Sequence, residues 1–71
     1  MRRFIFKGDF IKLDDFLKAS DLVSTGGEAK LLITEGKISV NDEVEFRRGR
    51  KLYYGDVVLY GKESLVLICG S

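Results

Sequence analysis

The chain has 71 residues, 12 of them basic and 11 acidic, with no histidine and one cysteine. A chain of this length forms at most one domain with a small core, because it buries only about 60% of its unfolded surface. Without histidine it has neither a Ser-His nucleophile pair nor a histidine general base, and a single cysteine falls far short of a zinc site. We therefore expect a single non-enzymatic binding domain over residues 1–71, without metal or cofactor.

The apolar segments are short. No apolar run reaches the roughly 18 residues of a membrane helix, and the N-terminal MRRFIFKGD is too short in its apolar part for a signal peptide. Cys69 lies in the apolar run LVLIC, which predicts a small core residue. A lone cysteine has no intramolecular disulfide partner and fits a reducing compartment. We expect a cytoplasmic protein with no membrane partner.

The first half of the chain reads as one strand followed by two helices. RRFIFK is rich in aromatic and β-branched residues and predicts a strand. Leu13, Phe16 and Leu17 have the spacing of one helix face, and carboxylates follow in the first turn. Thr25 and Glu28 have the spacing of a capping box. They predict a second helix from about Gly26 to Glu35, ended by a glycine at position 36.

The second half reads as four strands. KISV and VEF are separated by Asn41 and Asp42, which suit a turn, and VVLY and LVLIC follow. The predicted order is β-α-α-β-β-β-β. This order indicates an α+β domain in which two helices pack on one side of a small, mostly antiparallel sheet.

Four cations occupy five consecutive positions, and no acidic residue lies among them: Arg47, Arg48, Arg50 and Lys51. The rest of the chain has eight basic and eleven acidic residues, a net charge of −3. A local basic patch on an acidic body indicates a polyanionic partner at one face. The alternative is a solvated turn that protects an edge strand from aggregation.

The segment STGGEAK, residues 24–30, is the other candidate site. It lacks the spacing of a nucleotide-binding P-loop. A helix start offers unpaired N–H groups to a phosphate, Gly26 and Gly27 allow a close approach to the backbone, and Lys30 adds a charge one turn later. The alternative is a tight helix–helix joint that requires small residues.

Several motifs in residues 12–58 resemble, in order and spacing, the αL RNA-binding domain named after ribosomal protein S4. They are Lys12-Leu13-Asp14, Ala29-Lys30, Leu32-Ile33-Thr34-Glu35-Gly36, Ile38-Ser39-Val40-Asn41-Asp42 and Gly55-Asp56-Val57-Val58.

The chain departs from that family pattern at two places. Thr25-Gly26 stands where the family has Ser-Arg, and Asp42 stands where it has glycine. The segments Gly-Gly-x-Ala-Lys and Arg-Arg-Gly-Arg-Lys-Leu look instead like a small stand-alone bacterial subgroup associated with ribosome maturation.

The resemblance implies a monomeric, non-catalytic protein that binds ribosomal RNA or a ribosomal precursor. Its RNA-binding residues would be Lys12, Thr25, Gly26, Gly27, Lys30, Lys37, Asn41, Arg47, Arg48, Arg50 and Lys51. Neighbours on a strand point to opposite faces, so one of Tyr53 and Tyr54 is expected in the core. The other would be exposed, where it could stack on a base.

Two other functions stay open. A protein-interaction adaptor in assembly would use the basic run against an acidic protein, although protein partners usually need a cluster of exposed aromatic anchors. A β-grasp sulfur carrier has a similar size and a similar late strand-turn-strand pattern. Such carriers end in Gly-Gly, whereas this sequence ends in Cys69-Gly70-Ser71.

Overall fold

The computed structural model describes residues 1–70 and shows two helices and seven strands among them. In chain order the elements are β1 (Arg2–Phe6), β2 (Ile11–Lys12), α1 (Leu13–Ala19), α2 (Gly26–Thr34), β3 (Ile38–Val40), β4 (Glu43–Val44), β5 (Lys51–Leu52), β6 (Val57–Tyr60) and β7 (Glu63–Cys69).

The main sheet has five strands in the order β1-β7-β6-β3-β4. All neighbouring strands are antiparallel except β1 and β7, which run parallel with Arg2 opposite Leu65. The predicted α+β class and mostly antiparallel sheet are therefore confirmed. The sequence pattern did not predict the second sheet, in which β2 and β5 pair antiparallel. Each of these strands has two residues, too few to show a periodicity.

The core lies between the two helices and one face of the main sheet. The predicted apolar positions of both helices are buried, and buried side chains alternate along β3 and β7. This alternation puts one face of each strand toward the helices. The core residues are Leu13, Phe16 and Leu17 of α1, Ala29, Leu32 and Ile33 of α2, Ile38 and Val40 of β3, and Val23, Leu52, Val58, Leu65 and Leu67.

Cys69 is exposed, so its prediction as a core residue is wrong. By strand alternation Cys69 shares a face with Leu65 and Leu67, which are buried. It is the last residue of β7, and the burial on this face ends before it. An apolar run predicts the strand, but it does not show how far along the strand the helices extend.

Two turns fix the connections that follow α2. Gly36, at φ 75°, donates to the Ile33 carbonyl, and Lys37 donates to the Leu32 carbonyl. These bonds form a Schellman motif and confirm the predicted glycine stop. Asn41 and Asp42 both have positive φ, at 52° and 71°. They form the two-residue loop between β3 and β4, as a type I′ turn requires.

A ligand of the described residues would bind on their surface, because no pocket opens there. No helix among them is long and apolar enough to cross a membrane. Within residues 1–70 no group of three or more histidine, cysteine or acidic side chains is placed to hold a metal ion.

Candidate nucleic-acid interface

The basic run is organised by a buried carboxylate, Glu45, whose side chain is only 8% exposed. Its oxygens accept hydrogen bonds from the backbone N–H groups of Phe46 and Arg47, both at 3.0 Å. They also accept from Nε and Nη2 of Arg47 at 3.1 Å and from Nη1 of Arg50 at 3.0 Å. The hydrogen bonds from the Arg47 side chain are the main cause that lowers the pKa of Glu45 from 4.5 to about 2, against the opposing effect of burial.

The four cations therefore fall into two pairs. Arg47 and Arg50 share the Glu45 carboxylate, although the Arg47 side chain remains 76% exposed. Arg48 and Lys51 are exposed, and neither has a carboxylate oxygen within 4.0 Å in residues 1–70. Sequence reasoning missed the role of Glu45, although its spacing of two and five residues from the arginines was a local signal.

The backbone of this loop caps helix α1. Leu13 N–H donates to the Arg50 carbonyl at 2.8 Å, and Asp14 N–H donates to the Arg48 carbonyl at 3.1 Å. These bonds satisfy two of the N–H groups that a helix start leaves unpaired. The side chain of the N-cap residue, Lys12, makes no capping hydrogen bond. The loop is thereby fixed against the beginning of α1.

The same arrangement gathers three exposed cations at the start of α1. In the β2–β5 pair Lys12 lies directly opposite Lys51, and Arg48 is held nearby through its carbonyl. We call Lys12, Arg48 and Lys51 the basic cluster. None of its members forms an ion pair within the described residues. Two acidic residues lie in the same first turn of α1: Asp14 Oδ1 accepts from Asp15 N–H at 2.8 Å, and the Asp15 carboxylate lies 3.6 Å from Lys18 Nζ.

The start of helix α2 is capped as predicted. Thr25 Oγ1 accepts from Glu28 N–H at 3.1 Å, and Glu28 Oε1 accepts in return from Ser24 N–H at 2.6 Å. The reciprocal donor is therefore Ser24 and not the N-cap residue itself. The helix geometry leaves the N–H groups of Gly26 and Gly27 without an intrahelical acceptor. The exposed Glu28 carboxylate already lies at this end of the helix.

The two glycines are not required by packing. A Cβ built at Gly26 would lie 3.9 Å from Lys18 Nζ, and one at Gly27 would lie 3.9 Å from Thr25 Oγ1. Both are ordinary contacts, and neither residue has a positive φ. The alternative of a tight helix–helix joint therefore finds no support here. Sequence reasoning also missed Lys18, whose ammonium lies beside the position where the αL family has arginine.

The remaining predicted site residues differ in their surroundings. Lys30 is exposed, and Lys37 is exposed but lies 3.7 Å from the Glu35 carboxylate. Asn41 Nδ2 donates to Asp56 Oδ1 at 3.1 Å, and Asn41 Oδ1 accepts from Val57 N–H at 3.0 Å. The Asn41 amide thus joins the β3–β4 turn to the start of β6. This role is structural and does not depend on a ligand.

Both tyrosines are exposed, so the expectation that one lies in the core is wrong. Tyr53 is 50% and Tyr54 is 40% exposed. Strand β5 ends at Leu52, so strand alternation does not apply to the two residues that follow. Tyr54 packs its ring on Phe6, with centroids 4.8 Å apart, and donates its hydroxyl to the Gly8 carbonyl at 2.6 Å.

Comparison with known proteins agrees with this architecture. The family model described as S4 domain matches residues 4–68. The chain belongs to the S4 domain family. The αL resemblance predicted from residues 12–58 is thereby confirmed.

Two curated relatives of this S4 domain have informative names. Probable ribosome maturation protein RlbA of Bacillus subtilis (strain 168) is 52% identical over 50 residues, which are 70% of each chain. Putative RNA-binding protein YbcJ of Escherichia coli (strain K12) is 31% identical over 62 residues, which are 87% of this chain and 89% of YbcJ.

A solved structure has the same fold. The solution structure of YbcJ from E. coli, described as revealing an αL motif involved in RNA binding, matches with a TM-score of 0.73 at 30% identity. The match covers 96% of this chain and 87% of that one. It confirms the predicted αL architecture.

Proposed function

We propose that this S4 domain binds structured ribosomal RNA, or a ribosomal precursor, during ribosome maturation. The observation that carries the proposal is the basic cluster. Lys12, Arg48 and Lys51 lie together at the start of α1, exposed and without an acidic partner among residues 1–70. The names of RlbA and YbcJ support the same role.

The chemistry of the basic cluster is that of phosphate contact. The Arg48 guanidinium can grip two phosphate oxygens, and the two lysines act as point charges. Contacts of this kind set affinity and position but read little sequence. Specificity then comes from the shape of the RNA, such as a loop or a bulge. The domain acts in the cytoplasm as a monomer and performs no catalysis.

A second set of groups extends the face to helix α2. Gly26 and Gly27 offer backbone N–H groups at the helix start, and Lys18 supplies a cation there. Thr25 holds the helix start in shape through its cap. Lys30, Lys37 and Asn41 complete the proposed face, and Arg47 and Arg50 belong to it through the loop that they order together with Glu45.

An adaptor function has one observation in its favour. Val44 and Phe46 are 50% and 60% exposed, and both side chains lie beside Gly36 at the β4 edge of the main sheet. An apolar pair of this kind is suited to a protein contact. An adaptor would keep its protein partner after the RNA is digested, whereas an RNA-binding protein would lose partners that it holds through RNA.

The test is ultraviolet crosslinking in bacterial cells, followed by purification of the tagged chain and sequencing of the attached RNA. We expect ribosomal RNA to be enriched over a tag-only control, and we expect Arg48→Gln/Lys51→Gln to lose most of it. The matched control is Arg3→Gln/Lys62→Gln, which removes the same charges at exposed positions on β1 and in the β6–β7 turn. No RNA above the control, with protein partners that resist nuclease, would overturn the proposal in favour of an adaptor.

A further inference from the structure

Two exposed aromatic residues form a pair beside the basic cluster. Phe10 is 39% and Tyr53 is 50% exposed. Their ring centroids are 6.2 Å apart, with the planes tilted by 53°. The two-stranded sheet brings them together, because Ile11 lies opposite Leu52 and the next step of the same register sets position 10 against position 53.

The inward and outward faces of this small sheet differ in chemistry. Leu52 is fully buried and Ile11 is partly buried against the core. The aromatic residues on either side of them remain at the surface, where large apolar groups call for a reason. Leu52 belongs to the core cluster and Ile11 packs against it, whereas Phe10 and Tyr53 do neither. The exposed rings therefore remain available to a ligand.

Cations border the aromatic pair. Lys51 Nζ lies 4.8 Å from the centroid of the Phe10 ring, within the range of a cation–π interaction. Lys12 lies opposite Lys51, so the pair is continuous with the basic cluster. Lysine is depleted in the cores of protein–protein interfaces. Aromatic side chains alternating with cations are instead the arrangement that proteins use for single-stranded nucleic acid.

The position of Tyr53 is fixed by its backbone. Tyr53 N–H donates to Asp56 Oδ2 at 2.8 Å, and Asp56 N–H donates to the Tyr53 carbonyl at 3.1 Å. Asp56 is itself held by Asn41. The ring is therefore presented on an ordered turn, which lowers the entropy lost when a ligand orders it. Tyr54 differs, because its ring and hydroxyl are engaged with Phe6 and Gly8.

We propose that Phe10 and Tyr53 form a stacking platform for an unpaired base. Tyr53 supplies the open ring, Phe10 supports it, and Lys12 and Lys51 hold the phosphate next to the stacked nucleotide. This proposal rests on the proposed RNA-binding function and narrows its ligand to RNA with an unpaired nucleotide beside a structured part. In a continuous duplex both faces of a base are covered by its neighbours, so only an unpaired base can reach the ring.

The experiment compares two RNA hairpins with the same stem, each closed by a linker that carries no bases, so that the loop offers nothing to stack. One hairpin is blunt and the other has a single-stranded tail of about eight nucleotides, a length within the site sizes of single-strand binders. One tail base is 2-aminopurine, whose fluorescence falls on stacking. We expect the wild-type chain to bind the tailed hairpin more tightly and to quench the probe. Tyr53→Leu should lower affinity for the tailed hairpin by at least about fivefold, leave the blunt hairpin unaffected, and abolish quenching at saturating protein.

The salt dependence separates stacking from charge. Tyr53→Leu removes no cation, so the slope of log affinity against log salt should stay the same, whereas Lys51→Gln should flatten it by about 0.7 to 0.9. Tyr53→Phe keeps the ring and should retain wild-type affinity. Phe46→Leu, which changes another exposed aromatic residue whose ring lies beside Gly36, should also behave as wild type. Circular dichroism checks that each variant is folded.

The outcomes distinguish the two proposals. A wild-type chain that binds neither hairpin overturns both the platform and the RNA-binding function. If the wild-type chain binds, and Tyr53→Leu keeps the affinity and quenching of the wild type, only the platform is overturned and a protein contact becomes the better use of the patch. Equal losses by Tyr53→Leu on both hairpins also overturn the platform, because stacking acts on the tail alone.

Discussion

The start of helix α2 and the basic loop at residues 47–51 were predicted as two parts of one phosphate-binding face. The two segments differ, however, in which groups remain available to a phosphate. Each is organised by a glutamate that accepts backbone N–H donation, Glu28 in the first turn of α2 and Glu45 two residues before the loop. Glu28 is exposed and completes a helix cap, whereas Glu45 is buried and joins two arginines. The helix start thus keeps its open N–H groups but carries an anion. The loop keeps Arg48 and Lys51 out of ion pairs within residues 1–70, and it joins Arg47 and Arg50 to Glu45.

This comparison shows that the number of cations in a sequence is not the number available to a ligand. A guanidinium bound to a buried carboxylate has already used donors and charge. What the buried carboxylate provides in return is order, because it joins the loop whose carbonyls cap α1. The basic cluster is therefore built on a rigid support, which favours precise phosphate contacts.

The largest expected effect comes from removing Glu45. Glu45→Gln should lower the free energy of unfolding by about 2 to 3 kcal/mol, because a neutral amide cannot replace the charged hydrogen bonds that the buried carboxylate accepts from Arg47 and Arg50. Urea unfolding at neutral pH measures this change. The matched control is Glu63→Gln, whose exposed carboxylate lies 3.6 Å from Arg2 and should change stability by less than about 1 kcal/mol. Equal effects of the two substitutions would mean that Glu45 does not organise the loop.

The wild type and Glu45→Gln can also be compared as a function of pH. The folded-state pKa of Glu45 is lowered from 4.5 to about 2, so its stabilisation is fully present above pH 4.5 and is lost as the pH falls through about 2. The difference in unfolding free energy between the wild type and Glu45→Gln should shrink across that window. If the difference in unfolding free energy stayed constant down to about pH 2, the lowered pKa of Glu45 would not be the cause of the stabilisation.

A smaller effect is expected at the start of α2. Thr25→Ala removes the acceptor for Glu28 N–H and should destabilise the domain by about 1 kcal/mol. Ser24→Ala is the matched control, because Ser24 takes part in the cap through its backbone N–H alone and should be close to neutral. Thermal unfolding of the two variants compares them. If Ser24→Ala were the more harmful, the cap would be assigned to the wrong residue.

The smallest expected changes come from glycine substitutions in the two regions. Gly27→Ala has room for its Cβ and should raise stability by about 0.4 to 1 kcal/mol. If a phosphate contacts the Gly27 backbone, RNA affinity should still fall by about two- to tenfold, the worth of one hydrogen bond. Gly49→Ala, in the loop with nothing within 4 Å of its built Cβ, should bind as wild type. Equal RNA binding by both variants would remove the helix start from the interface.

Local patterns predicted much of this fold. The apolar spacing of both helices marks the residues that are buried, and the capping residues and Gly36 mark the ends of α2. These features depend on neighbours within one or two turns, so a single sequence contains them. The prediction for Cys69 was wrong, because its exposure depends on how far the helices cover the sheet. The two-residue strands β2 and β5 were not predicted, because they depend on a pairing across about 40 residues.

The candidate site was predicted less completely than the fold. The sequence indicates which segment is basic, but the pairing of Lys12 with Lys51 and of Phe10 with Tyr53 comes from contacts between distant segments. The role of Glu45 could have been inferred, since its partners lie two and five residues away. It was missed because only the charges inside the basic run were counted.

The most direct test of the central claim is the salt dependence of RNA binding by Arg48→Gln/Lys51→Gln. If the basic cluster contacts phosphates, removing two cations should flatten the slope of log affinity against log salt by about 1.4 to 1.8. Arg3→Gln/Lys62→Gln, with the same change in net charge, should keep the wild-type slope. An unchanged slope in Arg48→Gln/Lys51→Gln, with the fold intact, would contradict the assignment of the basic cluster as the RNA contact.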